Sequence, residues 1–151
     1  MAAKILVVDD DQEIGFMMKM MLEHKGYIVF VLERAERVEA TITEHNIDLV
    51  ILDMLIAGVK GTDVCVRLKA NPDTMDVPVI MVTALPNIEK ICREAGANDF
   101  LSKPFEMQGL ISNINKLLKL GRFSNRKFHR KFRCNFWSHR ISGSHIHCVE
   151  N

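Results

Sequence analysis

The sequence predicts an α/β fold in which a doubly wound parallel sheet is covered by helices on both faces. Five short apolar runs alternate with five segments of helical periodicity. The apolar runs are continuous, which is typical of strands that are buried on both sides of a parallel sheet. A chain of 151 residues is long enough to bury the core of one such domain.

The predicted strands are recognised by their apolar residues and by the polar residues that end them. The first run ends abruptly at Asp9, and the third is followed by Asp53. The fourth ends at Thr83, and the fifth ends at the dipeptide Lys103-Pro104. The predicted strands span residues 4–8, 27–32, 48–52, 77–82 and 99–102.

The segments between the strands carry apolar residues three and four positions apart, which is the period of an amphipathic helix. Gly26 ends the first helix, and Asn71-Pro72 ends the third because a residue before proline disfavours helical geometry. The first four helices are centred on residues 14–22, 38–42, 64–68 and 88–95, and the last spans 105–120.

The composition is that of a soluble globular protein, with 48% hydrophobic and 26% charged residues. The first apolar run is too short and too acidic to be a signal peptide, so the cytoplasm is the expected location. The four cysteines are scattered and form no CxxC pair, which argues against disulfides in that compartment.

Charge divides the chain into two segments. Residues 1–120 carry 13 Lys+Arg and 18 Asp+Glu, a net charge of −5, whereas residues 121–151 carry 7 Lys+Arg and one acid, a net charge of +6. We therefore predict a domain over residues 1–120. Residues 121–151 are predicted to form a basic, aromatic-containing extension that is partly disordered.

Polar side chains follow the carboxyl ends of four predicted strands: Asp9 and Asp10, Asp53, Thr83 and Lys103. These ends emerge along one edge of a parallel sheet, where ligands bind. Three neighbouring carboxylates repel one another unless a cation lies between them, and an oxygen-only set with open positions suits Mg²⁺. With a hydroxyl and an ammonium beside them, these groups indicate phosphoryl transfer to a carboxylate.

Four segments carry a family resemblance: VVDD, DLVILDM, Thr83-Ala84 and AGANDFLSKPF. Over residues 3–120 the chain resembles the receiver domain of two-component response regulators. The resemblance implies a flavodoxin-like (βα)5 three-layer sandwich with strand order 2-1-3-4-5. It also implies a phosphorelay protein that receives a phosphoryl group from a sensor histidine kinase, a histidine phosphotransfer protein or a small phosphodonor. Such a protein switches partner binding, as a monomer or a phosphorylation-dependent dimer, and catalyses only its own phosphorylation and dephosphorylation.

The resemblance also implies individual roles for residues. Asp53 would be the phosphoacceptor, and the other predicted Mg²⁺ ligands are Asp9, Asp10 and the main-chain carbonyl of Leu55. Thr83 and Lys103 would contact the phosphoryl group. Thr83 and Phe100 would form the conformational switch, in which Phe100 is the aromatic residue. The Lys103-Pro104 peptide would be cis.

The loop after Asp53 departs from the family pattern. The family usually has MPGMDG there, whereas this chain has IAGVKG over residues 56–61. A proline is lost and Lys60 replaces an acid, while Gly58 and Gly61 stay. The loop shape is expected to survive, and recognition near the site is expected to differ.

Each of these residues also has a structural interpretation. Asp11 is expected to cap the first helix, and Asp10 with Glu13 could form a capping box instead of binding metal. Thr83 could satisfy a backbone group at a strand end. We expect the methionines of the first helix, at positions 17, 18, 20 and 21, to fill the core, and His24 and His45 to be exposed near helix ends.

The extension leaves several functions open. Its basic and aromatic residues could bind nucleic acid or a membrane surface, although a disordered extension is the simpler interpretation. Its possible metal ligands follow no standard zinc spacing; they are Cys134, His139, His145, His147 and Cys148. The alternatives to a stand-alone receiver are a transcription regulator that touches DNA through this segment and a small phosphatase that uses the same acids.

Overall fold

Five parallel strands form the main sheet of the computed structural model, which describes residues 2–128 and their side chains as far as residue 121. Their bounds are β1 Lys4–Val8, β2 Ile28–Leu32, β3 Leu49–Asp53, β4 Val79–Thr83 and β5 Asp99–Ser102. The helices are α1 Gln12–His24, α2 Val38–His45, α3 Gly61–Ala70, α4 Glu89–Glu94 and α5 Met107–Phe128. A short 3₁₀ helix, Ala35–Arg37, precedes α2.

The strands lie in the order β2-β1-β3-β4-β5, and all neighbours are parallel. The predicted order 2-1-3-4-5 is therefore confirmed. β3 is the central strand of the sheet with β1 beside it, and the chain reverses its winding direction between these two strands. Because all the strands are parallel, the carboxyl ends of β1, β3, β4 and β5 lie at one edge of the sheet.

Two apolar layers cover the sheet, because alternate residues of each strand point to opposite faces. Leu6 and Val8 of β1 pack in a cluster that includes buried residues of α2, α3 and α4. Ile5 and Val7 pack in a second cluster with buried residues of α1 and α5. The predicted three-layer sandwich is confirmed, with α1 and α5 on one face and α2, α3 and α4 on the other.

A short antiparallel hairpin follows β3 and was not predicted. Leu55–Ile56 pairs with Val59–Lys60. Ala57 and Gly58 form its turn with φ angles of 48° and 85°, as in a type I′ turn. The loop that departs from the family pattern is therefore an ordered turn beside the carboxyl end of β3.

Several predicted bounds were wrong. β3 includes Asp53 and β4 includes Thr83; β2 and β3 each begin one residue later than predicted, and β4 begins two residues later. α5 begins at Met107, not at residue 105, and continues to Phe128 instead of ending at residue 120. The domain division at residue 120 stays a prediction, and residues 129–151, with the possible metal ligands of the extension, lie outside the described residues.

The prediction for the methionines of α1 holds for one of them. Met18 is buried in the core, whereas Met17 and Met20 are 48% and 56% exposed. Met21 is also exposed. Helical spacing therefore did not separate the core-facing stripe, which contains Met18 and Leu22, from a second apolar stripe on the outer side. His24 and His45 are exposed as predicted.

Candidate functional site

The fold brings the predicted site residues together at the carboxyl edge of the sheet. Asp9 and Asp10 directly follow β1, and Asp53 is the last residue of β3. Thr83 ends β4, and Lys103 directly follows β5. These residues come from four different strands, so the sheet places them more firmly than a single loop would.

Three carboxylates form the centre of the site. One oxygen from each of Asp9, Asp10 and Asp53 lies within 4.8 Å of the other two. Asp9 is buried, Asp53 is half-buried and Asp10 is exposed, so the cluster opens to solvent on the Asp10 side. Three anionic oxygen donors with an open side fit a hard divalent cation that keeps some of its waters, which is the preference of Mg²⁺.

Lys103 is the cation that the protein itself supplies to this cluster. Its Nζ lies 3.5 Å from Oδ2 of Asp9 and 3.4 Å from Oδ1 of Asp53. Its backbone N–H donates to the carbonyl of Thr83 at 2.7 Å, and the following peptide bond to Pro104 is cis as predicted. The ammonium is thus within reach of any anionic group that is added to Asp53.

Asp53 is in an environment that disfavours its charge. Its pKa is raised above the ordinary value of 3.8, first because burial desolvates the carboxylate and then because Asp9 repels it. Lys103 and the N–H of Met54, which donates to Oδ1 at 2.8 Å, act in the opposite direction. A divalent cation beside Asp53 would therefore stabilise the charged form of this carboxylate.

A dependence of stability on pH follows from this raised pKa. The folded protein holds a proton on Asp53 more tightly than the unfolded chain does, so stability should fall as pH rises above 3.8 through the folded pKa. Asp53→Asn should therefore raise the melting temperature at neutral pH in the presence of a chelator. This gain should vanish well below 3.8, where Asp53 is neutral in both states. Thermal melts across this range measure the effect, and identical melting temperatures at neutral pH would contradict it.

The acids after β1 have separate roles. Asp11, not Asp10, caps α1, because its side chain accepts the N–H groups of Glu13 and Ile14. The capping-box interpretation of Asp10 is therefore wrong. Asp10 instead accepts the N–H of Ala57 at 3.0 Å, which connects this acid to the turn of the hairpin.

The remaining predicted residues surround the carboxylates. Thr83 is buried, and its Oγ1 accepts a hydrogen bond from the N–H of Leu85 at 2.9 Å. It thus satisfies a backbone group at a strand end, as its structural interpretation predicted. Leu55 lies in the hairpin and exposes 58% of its surface. Phe100 is half-buried and packs against the cluster of α2, α3 and α4. The roles assigned to these three residues stay predictions.

Gly61 is a site-supporting residue whose purpose sequence reasoning missed. It begins α3, and its N–H donates to the carbonyl of Met54 at 2.7 Å. A Cβ at this position would overlap the backbone carbonyl of Asp53. From the sequence, Gly61 was expected only to preserve the shape of the loop. The need for glycine comes from the close approach of two backbone segments, which depends on tertiary packing. The only sequence signal of this need was a glycine eight positions after an acid.

Comparison with known proteins decides the family. The family model of the response regulator receiver domain matches residues 5–115. The chain belongs to this family. All five residues of the candidate site lie inside the matched segment. Among residues 2–128, no helix combines the length and the hydropathy that a membrane crossing needs.

The receiver domain is similar to parts of longer transcription regulators. It is 34% identical over 118 residues to the DNA-binding dual master transcriptional regulator RpaA of Synechocystis, covering 77% of this chain and 49% of RpaA. It is 33% identical over 121 residues to the phosphate regulon regulator PhoB of Rhizobium meliloti, covering 79% of this chain and 53% of PhoB. The chain thus spans about half the length of these relatives.

Solved structures show the same fold. A CheY-like receiver domain protein of Methanospirillum hungatei matches with a TM-score of 0.74 at 28% identity, covering 82% of this chain and 99% of that chain. The receiver domain of the sensor histidine kinase PA1611 of Pseudomonas aeruginosa, which has magnesium in its active site cleft, matches with a TM-score of 0.71 at 24% identity. That match covers 79% of this chain and 99% of the PA1611 domain.

Proposed function

We propose that this receiver domain accepts a phosphoryl group on Asp53 in a Mg²⁺-dependent reaction and thereby switches the binding of a protein partner. The donor would be a sensor histidine kinase, a histidine phosphotransfer protein or a small phosphodonor. The observation that carries the proposal is the carboxylate cluster within 4.8 Å, with the ammonium of Lys103 at 3.4 Å from Asp53. Such a protein turns over no other substrate and promotes only its own phosphorylation and dephosphorylation.

The proposed metal site consists of oxygen ligands. Asp9, Asp10 and Asp53 would hold Mg²⁺ together with the main-chain carbonyl of Leu55 in the hairpin. When bound, the ion supplies positive charge that offsets the anionic oxygens of the transferred phosphoryl group. The magnesium in the PA1611 receiver domain, which shares this fold, is consistent with the choice of metal.

The transfer itself would use three side chains. A carboxylate oxygen of Asp53 attacks phosphorus, the new O–P bond forms, and the P–N or P–O bond to the donor breaks so that the leaving group departs with its electron pair. Lys103 would neutralise one phosphoryl oxygen. The hydroxyl of Thr83 would exchange its present contact with the N–H of Leu85 for a hydrogen bond to another oxygen.

Phosphorylation by a small donor tests the proposal directly. The protein is incubated with acetyl phosphate or a phosphoramidate plus Mg²⁺ and examined by intact-mass spectrometry. One acid-labile phosphoryl group per chain is expected. An unchanged mass with both donors would refute the proposed reaction.

Magnesium should stabilise the folded protein. Binding to the folded state alone adds about 1.4 kcal/mol to the free energy of unfolding when free Mg²⁺ is about tenfold above its Kd. Asp10→Ala should reduce this gain, whereas Asp63→Ala, an exposed acid of α3, should keep it. Melting curves with and without millimolar Mg²⁺ measure the difference. A melting temperature of the wild type that does not change with Mg²⁺ would count against the metal site.

Thr83 is proposed to couple phosphorylation to a change at Phe100. The added phosphoryl group would draw the Thr83 hydroxyl towards it, and the space left beside β4 would admit the half-buried ring of Phe100. Thr83→Ala should still accept the phosphoryl group on Asp53 but lose most of the response, and Thr83→Ser should restore it. NMR shifts around Phe100 with a beryllofluoride mimic measure the coupling, and unchanged shifts in Thr83→Ala would exclude it.

A second candidate function is DNA binding. RpaA and PhoB are named as transcription regulators, and the segment 121–151 carries a net charge of +6. Electrostatic binding to DNA would weaken steeply with salt. If the protein retards DNA in an electrophoretic mobility assay only when residues 129–151 are present, DNA binding is favoured. Equal mobility of the DNA with the full-length and the truncated protein would exclude it.

A further inference from the structure

Asp10 is the least firmly held of the three carboxylates at the candidate site. Asp9 and Asp53 each accept a backbone N–H from a nearby residue, and both contact the ammonium of Lys103. The side chain of Asp10 is exposed, and in the part of the chain that the structure describes it accepts one hydrogen bond, from the N–H of Ala57. Without this bond, repulsion by the two neighbouring carboxylates would favour positions of Asp10 further out in solvent.

The shape of the hairpin turn makes the N–H of Ala57 available to Asp10. Ala57 lies between the paired segments Leu55–Ile56 and Val59–Lys60, so its N–H takes no part in their pairing. The φ angles of 48° at Ala57 and 85° at Gly58 are the left-handed values of a type I′ turn. In this turn the N–H donates to Oδ2 of Asp10 at 3.0 Å.

This contact depends on a residue in which the chain departs from the usual family pattern. That pattern has proline at the position of Ala57. Proline has no N–H and fixes φ at about −65°, so it could neither form this turn nor donate to Asp10. The replacement of the proline therefore gives Asp10 a backbone partner 47 residues away.

The hairpin is anchored to the domain, so its turn can hold a side chain in place. Ile56 is buried in the apolar cluster under α2, α3 and α4, and Val59 packs against the same cluster. The tip of the hairpin is exposed, and a Cβ at Gly58 would meet nothing within 4 Å. A substitution at Gly58 would therefore disturb the turn through its backbone angle and not through a collision of the Cβ.

The bond from the turn leaves Asp10 able to bind a cation. A carboxylate has about four lone-pair sites on its two oxygens, so it can accept an N–H and bind a metal ion at the same time. Hydrogen bonds of this kind orient metal-ligating carboxylates. Their loss typically weakens metal binding by about 10- to 100-fold.

We propose that the Ala57-Gly58 turn is a positioning element of the metal site, which holds Asp10 beside Asp9 and Asp53 in readiness for Mg²⁺. The inference rests on the proposed function, in which Asp10 is a ligand of that ion. Both turn residues act through Asp10 and are not ligands themselves. Because coupling between two sites is reciprocal, bound Mg²⁺ in return stabilises the turn.

Gly58→Val tests the role of the turn, because a β-branched residue strongly disfavours a φ of 85°. It should weaken Mg²⁺ binding about tenfold, the lower end of the range for a lost partner of a ligating carboxylate. Isothermal titration calorimetry of the full-length proteins measures the Kd, at a temperature where circular dichroism shows that every variant is folded.

Gly26→Val is the matched control. Gly26 also has a positive φ, of 93°, and a Cβ there would also meet nothing within 4 Å. It precedes β2 and thus lies at the amino edge of the sheet, opposite the carboxylates. This variant should be strained in the same way and should keep the Kd of the wild type for Mg²⁺.

Hydrogen exchange of the Ala57 amide, followed by NMR, gives a second measurement that needs no metal. Without Mg²⁺, this exposed N–H should exchange about tenfold faster in Gly58→Val and in Asp10→Ala than in the wild type, because a hydrogen bond to a charged group is lost. Gly26→Val should exchange like the wild type. Addition of Mg²⁺ to the wild type should slow the exchange further.

The outcomes separate this inference from the proposed function. If the wild type binds Mg²⁺ and Gly58→Val binds it equally well, the inference is overturned and the proposed function stands. Equal weakening in Gly58→Val and Gly26→Val, or exchange of Ala57 that is as fast in the wild type as in Asp10→Ala, would overturn it in the same way. A wild type that binds no Mg²⁺ would overturn both.

Discussion

Asp53→Asn should abolish phosphorylation of this receiver domain. The amide is a poor nucleophile and carries no negative charge for a metal, so both the proposed attacking group and one proposed metal ligand are lost. Asp9 also contacts Lys103 but is only 3% exposed, so among the described acids Asp53 alone combines this contact with a half-buried carboxylate. We expect the loss to be complete within the sensitivity of mass spectrometry.

The control for this result is Asp63→Asn, which removes the same charge from the exposed first turn of α3. Both variants and the wild type are incubated with acetyl phosphate and Mg²⁺ under identical conditions. The wild type and Asp63→Asn should each gain one acid-labile group, and Asp53→Asn should gain none. Equal labelling of all three proteins would show that the phosphoryl group resides elsewhere.

Gly61→Ala should be strongly destabilising, since its new methyl group would overlap the backbone carbonyl of Asp53. The obstacle is backbone and not the end of a flexible side chain, so either α3 or the end of β3 must move. We expect a loss near the upper end of the range for overpacked sites, about 3 kcal/mol. This corresponds to a melting temperature lower by about 10 °C.

Gly109→Ala provides the matched control for the same change. Gly109 lies within α5, and a Cβ there would meet nothing within 4 Å. The substitution should stabilise the protein by about 0.5–1 kcal/mol, because glycine is costly in a helix interior. Chemical denaturation of the three proteins measures both effects. A Gly61→Ala variant as stable as the wild type, with an unchanged response to Mg²⁺, would refute the proposed close packing.

The fold class and the members of the candidate site could be predicted from the amino-acid sequence. Continuous apolar runs that alternate with helical periodicity allow few arrangements other than a covered parallel sheet. Parallel strands end at one edge of a sheet, so we could expect the acids after β1, the acid at the end of β3 and Lys103 after β5 to lie close together. Their convergence could therefore be predicted although they are up to 94 residues apart.

Tertiary structure decided which neighbouring residue takes which role. Asp10 and Asp11 are adjacent and both suit a helix cap, and only the path of the chain into α1 assigns the cap to Asp11. The contact of Asp10 with Ala57 depends on a hairpin whose pairing spans only two residues per strand. Such short pairing is too brief for a periodic pattern to reveal it.

Tertiary structure also decided how close the elements come and which apolar residues stay outside. The need for glycine at position 61 arises from the approach of α3 to the end of β3, which no local pattern encodes. The outer stripe of α1 and the inner stripe look alike in sequence because both follow helical spacing. Periodicity reports that a face is apolar, whereas only packing decides what covers it.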